Sequence, residues 1–302
     1  MLTRLQESAR WYCFAMSADD RRRARYSAAI ARLRRRTVAR RRKALHSLDE
    51  VKSPTIDARM GFASVAAGAL EHVDDVVVES RTLASPYLEM TAPWDGRQQM
   101  LSGLVQNSSL SLGSPFLRFA LQDTVIATVS RYLGMVPLLA GVDVLVSRFF
   151  EERLSESQLY HCDFEDVRQV KIFLHCSDVS MDDGPLTVIP ADQSRSVKRE
   201  LRYKYGRAGY RISDEAMMNA RGTVDEISLT GGAGTAHFVD TSTCFHYGSR
   251  LSPGGGRRIV AQYQFLTPAA FALMFRYSKL PFASMGQSHE LTEIQRLVIG
   301  AE

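Results

Sequence analysis

From about residue 138 onward the apolar residues of this chain change period, and that change constrains the fold more than any other feature. Before it, apolar side chains recur at helical spacing; after it come short apolar runs broken by turn signals. The runs Leu139–Phe150, Gln158–Asp163, Gln169–His175, Leu186–Ile189, Thr235–Phe245 and Arg258–Phe265 read as strands. Asp182-Asp183-Gly184-Pro185, Gly231-Gly232 and Pro253-Gly254-Gly255-Gly256 separate several of them. Many short strands with such turns predict a sandwich or barrel, with the preceding helices covering one sheet.

The helical part has its own punctuation. Ser17-Ala18-Asp19-Asp20 opens a helix that runs to about Ser47, with the two aspartates at the positive end of its dipole. Residues 60–135 read mostly as helices, and Phe116–Leu133 as one helix that Gly134 ends. Asn107–Pro115 is a connector. Residues 196–222 form a charged insertion between strands, helical near Asp214–Ala220, and Glu290–Ile299 is a short terminal helix. The expected organisation is a single catalytic domain over residues 1–302. It has a helical region at 1–135, a β core at 136–275 carrying the insertion, and a helical tail at 276–302.

Composition matters mainly through its unevenness. Residues 1–50 hold 14 Lys/Arg against 5 Asp/Glu, a net of +9, whereas the whole chain carries only +5, so the remainder is near −4. The basic character belongs to one segment. Such a segment suits nucleic acid or acidic lipid, or it is a helix face whose arginines pair with carboxylates on the body. The second reading is favoured, because no aromatic residues interleave with the arginines as stacking on single strands requires. A nucleic-acid partner is therefore not expected. No apolar run of about 18 residues is present, so no membrane span is expected. The first residues lack the pattern of a secretory signal, and Cys13, Cys162, Cys176 and Cys244 lack the spacing of a disulfide framework. A reducing cytoplasm is the expected compartment. The sequence does not specify an oligomeric state.

Tyr160-His161-Cys162-Asp163 carries the chemistry. On a strand, side chains alternate with period two, so His161 and Asp163 point one way and Cys162 the other. An imidazole and a carboxylate so placed bind adjacent positions of a metal. Two histidines and one carboxylate make the three-ligand face of non-haem Fe(II) oxygenases, with three positions left open. A later strand ending at His246 supplies the third ligand, ahead of a glycine-rich turn and Arg257-Arg258. An arginine there would grip a carboxylate with two charge-assisted hydrogen bonds.

Residues 158–265 resemble the phytanoyl-CoA dioxygenase family of 2-oxoglutarate oxygenases. The matching pieces are His161-Cys162-Asp163, then Val170-Lys171-Ile172-Phe173-Leu174 leading into Asp183-Gly184-Pro185-Leu186-Thr187-Val188-Ile189-Pro190, and then His246-Tyr247-Gly248-Ser249 before an arginine. The resemblance implies a mainly β core, a double-stranded β-helix (jelly-roll, cupin-like) flanked by helices behind an α-helical N-terminal region. It implies Fe(II) on His161, Asp163 and His246, with 2-oxoglutarate and O2 as co-substrates. It carries Arg257 or Arg258 over as the clamp on the far carboxylate of 2-oxoglutarate, with Ser249 as a further contact. Alternation favours Arg258, because Val260, Gln262 and Gln264 then face inward, and Ile259, Ala261, Tyr263 and Phe265 pack outward. Pro190-Ala191-Asp192-Gln193-Ser194 departs from the family's Pro-Gly-Ser-His and puts any substrate analogy in doubt. The implied activity is hydroxylation of an unactivated C–H bond in a small-molecule or carrier-bound metabolite, with release of succinate and CO2. The alternatives are a catalytically silent jelly-roll binding module and a nucleic-acid-associated protein acting through the basic helix. His175 is expected as a satisfied strand histidine, and His237 and Asp240 as supports of their strand or its turn.

Overall fold

The computed structural model describes residues 19–89, 100–149, 154–205, 210–221, 224–275 and 280–301. Its strands are β1 (Phe62–Val65), β2 (Met100–Leu101), β3 (Leu138–Ser147), β4 (Gln169–His175), β5 (Leu186–Val188), β6 (Ile227–Leu229), β7 (Ala236–Val239), β8 (His246–Tyr247) and β9 (Arg258–Leu266). They form a large antiparallel sheet in the order β1-β7-β4-β9-β3-β2 and a small one in the order β6-β5-β8. This is a double-stranded β-helix of two facing sheets that do not close on one another, with a helical N-terminal region.

Strand alternation divides the core in two. Along β9, Ile259, Ala261, Tyr263 and Phe265 join the main core with Leu117, Phe119, Val125 and Val129 of the helices. Val260 turns the other way and packs with Phe173 and Val239 of the large sheet and Leu186, Val188 and Leu229 of the small one. The space between the sheets therefore lies on the face that Arg258 shares with Val260, Gln262 and Gln264. β9 pairs with both β3 and β4, so its register fixes that face from two sides.

Several elements differ from the sequence reading. Phe116–Leu133 is two helices, Pro115–Ala120 and Asp123–Leu133, because Gln122 is extended and spends its side chain on the backbone of Glu71 and Phe119. Gly134 does end the second, at φ 73°. β1 and β2 both lie within the stretch 60–135 read mostly as helical, and they are too short to show a period. Gln158–Asp163 makes only isolated bridges, Tyr160 to Ile212 and His161 to His246. The run Thr235–Phe245 stops at Val239, where Asp240 bends the chain toward β8 by accepting from the backbone N–H groups of Ser242 and Thr243. In the charged insertion, Tyr203, Tyr205, Ile212 and Met217 pack with Tyr160, Cys162 and Phe245. The terminal helix is Glu293–Ile299, capped by Thr292.

The basic segment forms the helices Asp20–Leu33 and Arg35–Ala44. Asp19 caps the first by accepting from the Arg22 N–H at 2.9 Å; Ser17, Cys13 and Phe150 lie outside the described residues. Among the described residues, one of these arginines pairs with a carboxylate as expected, and three others donate to main-chain carbonyls. Arg40 does meet Glu293 at 3.1 Å. Arg23, however, donates to the carbonyls of Phe164 and Asp166, Arg34 to that of Pro268, and Arg41 to those of Val136, Pro137 and Leu297. Arg41 is fully buried. Arg41→Met strands those three carbonyls and is expected to cost about 3 kcal/mol in urea unfolding, while Arg40→Met costs less than about 1 kcal/mol.

Candidate metal centre

His161 and His246 are cross-strand neighbours. Each backbone N–H donates to the other's carbonyl at 3.0 Å, which puts both side chains on one face with ring centroids 4.3 Å apart. Two residues on, the Asp163 N–H donates to the Thr241 carbonyl at 2.7 Å. One ligand atom from each of His161, Asp163 and His246 lies within 4.8 Å of the other two, and all three residues are buried. Cys162 points away; its N–H donates to the Tyr203 hydroxyl, and burial pushes its thiol up to about 12.

The hydrogen bonds set the tautomers. His161 Nδ1 lies 2.8 Å from the Leu159 carbonyl and His246 Nδ1 3.1 Å from the Cys244 carbonyl. A carbonyl only accepts, so each Nδ1 carries the proton and each Nε2 keeps its lone pair. Burial, and then the neighbouring His246, hold His161 down to about 3; burial also lowers His246. Burial alone would raise the Asp163 carboxyl, but Lys171 and the two imidazoles outweigh it and keep it below the usual carboxylate range. The Lys171 ammonium lies 2.8 Å from Asp163 Oδ2, as an ion pair outside hydrogen-bond alignment. Two neutral imidazoles and one carboxylate fit a ferrous ion.

Arg258 occupies the same inter-sheet space. Its guanidinium donates to the Gly184 carbonyl, to Ser249 Oγ at 2.7 Å and to Ser147 Oγ at 3.3 Å. Gly184 has φ 62°, and a Cβ there would stand 2.7 Å from the Arg250 backbone, so only glycine presents that carbonyl. Arg258 is buried, its Nε has no partner, and among the described residues no carboxylate forms an ion pair with it. Burial lowers it to about 10. Ser249 holds the left-handed conformation at φ 61°, which a non-glycine residue adopts only under constraint. Arg257 faces the opposite way and donates to the Tyr87 carbonyl.

His175 and His237 share this face. Their ring centroids are 4.7 Å apart, and His237 Nδ1 lies 2.8 Å from Ser64 Oγ. The sequence offered a signal for both, since they fall two residues from the inward-facing Phe173 and Val239. Asp240 does support its turn, and Tyr132 and Thr243 also donate to it. A separate cavity of about 470 Å³, bordered by His72, Arg118 and Gln122, contains none of these groups.

No protein-family model matches the chain, and no curated protein matches it. Among solved structures, EctD from S. alaskensis in its apo form superposes with a TM-score of 0.50 at 17% identity, covering 69% of this chain and 74% of that one. The chain shares its fold with EctD. The epimerase SnoN, solved with Fe3+, α-ketoglutarate and nogalamycin RO, gives a TM-score of 0.49 at 17% identity over 74% of this chain and 84% of that one. No helix among the described residues is long and apolar enough to cross a membrane.

Burial, and then Arg258, lower His175 to about 4; burial, and then His175, lower His237 to about 3. An unfolded imidazole titrates near about 6.5. Between these values the unfolded chain binds more protons, so the stability from neutral burial is full above about pH 6.5 and falls as pH drops toward 4. Urea unfolding at pH 7, 6 and 5 is expected to show this slope. His237→Gln keeps a partner for Ser64 and should flatten it by up to about 1.4 kcal/mol per pH unit.

Proposed function

We propose that this protein is a non-haem Fe(II)- and 2-oxoglutarate-dependent oxygenase of the phytanoyl-CoA dioxygenase type. The observation that carries the reading is the meeting of His161, Asp163 and His246 with both imidazole Nε2 lone pairs free for a metal. A second observation supports it. Among the described residues the hydrogen-bond partners of the buried Arg258 cation are hydroxyl and carbonyl groups, and such a charge is costly without an anion in direct contact. The far carboxylate of 2-oxoglutarate supplies that anion. Ser249 and Ser147, 2.9 Å apart, hold the guanidinium for it.

When bound, the iron activates dioxygen for attack on a C–H bond, while 2-oxoglutarate is spent as succinate and CO2. His161 and His246 donate as neutral ligands and carry no proton to be displaced at pH 7. Asp163 contributes the single negative charge and fills the position that a halide would need, which favours hydroxylation. The two sheets keep water from the buried end of the site. The substrate we propose is a small-molecule or carrier-bound metabolite.

His161→Ala is expected to abolish Fe(II) binding and succinate release while the circular dichroism spectrum is unchanged. Retained iron in that variant rules the assignment out. Arg258→Met should keep the metal and raise the KM for 2-oxoglutarate by about tenfold or more, as loss of a buried charge-assisted pair requires.

A further inference from the structure

The segment that carries His161 and Asp163 is held from both sides. The N–H groups of His161 and Asp163 point to one side, where they donate to the carbonyls of His246 and Thr241. On the other side runs the later part of the charged insertion. Tyr160 and Ile212 exchange reciprocal backbone hydrogen bonds at 3.1 and 2.8 Å, which start an antiparallel ladder. The next closed pair of that ladder would join Cys162 to Tyr210, two residues further along each segment.

A side chain stands in that place. The Tyr203 hydroxyl accepts from the Cys162 N–H at 3.1 Å and donates to the Tyr210 carbonyl at 2.7 Å. It is a hydrogen-bonded spacer between two backbone groups that a regular ladder would join directly. Tyr203 is itself well fixed. It is buried, its N–H donates to the Lys198 carbonyl at 2.9 Å, and its ring meets those of Phe245 and Tyr205 edge-on at 4.9 and 5.0 Å. Cys162 follows His161 and Phe245 precedes His246, so Tyr203 touches both histidine segments from behind the site.

The spacer decides where the Tyr210 ring goes. Residues directly opposite in an antiparallel pair share one face. A closed ladder would therefore turn Tyr210 the way Cys162 turns, away from His161 and Asp163. Instead the Tyr210 ring stands 6.0 Å from that of His161 and 5.6 Å from that of Phe164. Tyr210 is half-buried, and among the described residues its hydroxyl makes no hydrogen bond. Burial, and then the Asp163 and Glu165 carboxylates, raise its phenol, so the hydroxyl stays protonated and able to donate.

We propose that Tyr203 is a positioning residue of this site: its hydroxyl holds the ladder open and thereby sets Tyr210 beside His161 as a wall of the substrate space, with a free phenol donor for a hydrogen-bond acceptor on the substrate. The inference rests on the metal reading of His161, Asp163 and His246 and adds a substrate-facing residue to it. It also gives the charged insertion a task, since Tyr203 and Tyr210 both belong to that insertion.

The test uses the full chain labelled with meta-fluorotyrosine, Mn(II) as a paramagnetic, redox-silent metal and Zn(II) as its diamagnetic control. Tyr210→Phe identifies the fluorine NMR resonance of Tyr210 by its loss. In the wild type, Mn(II) is expected to broaden that resonance beyond detection, because paramagnetic relaxation falls steeply with distance. In Tyr203→Phe the ring packing is kept, the Cys162 N–H and the Tyr210 carbonyl can bond directly, and the Tyr210 resonance should survive Mn(II) with severalfold less broadening. Mn(II) affinity, read from the EPR signal of the free ion, should match the wild type, because His161, Asp163 and His246 keep their own backbone bonds. Equal broadening in wild type and Tyr203→Phe overturns the proposal, as does a Tyr210 resonance left sharp in a wild type that binds Mn(II). Loss of Mn(II) from Tyr203→Phe, as from His161→Ala, overturns it too, since Tyr203 would then brace the metal-binding residues and not Tyr210. Tyr203→Met repeats the measurement should circular dichroism show that the phenylalanine variant folds poorly. A wild type that binds Mn(II) no better than His161→Ala sinks the metal reading itself and the inference with it.

Discussion

Two reciprocal backbone hydrogen bonds between His161 and His246 organise the centre of this molecule. They join a segment that forms no strand of its own to β8, whose partner in the small sheet is β5. Because the pair is antiparallel and mutually bonded, both imidazoles leave the backbone on one side. Each ring is then oriented through Nδ1 by a carbonyl two residues earlier in its own chain, at Leu159 and at Cys244. Asp163 is placed by a single backbone bond, its N–H donating to the Thr241 carbonyl. The geometry of three distant residues is thus set by main-chain bonds, which tolerate far less drift than side-chain packing.

A second theme is the burial of positive charge. Arg23 and Arg41 enter the body from the first helices and are satisfied by main-chain carbonyls, with the Arg23 guanidinium 3.8 Å from the centre of the Tyr205 ring. They act as cross-braces. Arg258 is built differently. Its partners are a carbonyl and two serine hydroxyls, and Nε is left over. Lys171 is different again, paired at 2.8 Å with the Asp163 carboxylate, both side chains largely covered. One electrostatic problem, a cation taken out of water, is thus solved in three ways.

Much of this was legible beforehand, for definite reasons. β4 and β9 announce themselves because apolar residues alternate over enough length to define a face, and the same alternation separates Arg258 from Arg257. The meeting of His161 with His246 rests on residue order, and order survives any uncertainty in strand ends. What stayed hidden was local. β1, β2 and β6 are too short to establish a period. Gln122 splits a helix through a side-chain bond that no apolar pattern reveals. The tyrosines at 203 and 205 sit in a run of charges, so their packing behind Cys162 could not be read from composition. The arginines of the first helices looked like partners for carboxylates because sequence shows charges and not carbonyls.

The cross-braces also order events in time. Arg23 bonds to residues 141 and 143 positions later, and Arg41 to one 256 positions later. During synthesis the arginine-rich helices emerge before the jelly-roll, and their carbonyl acceptors arrive only as it and the helix Glu293–Ile299 follow. Until then those helices present unsheltered cations and apolar faces. Completion of this fold is consequently a late, non-local event, with helices made before the jelly-roll among the last to be locked in place.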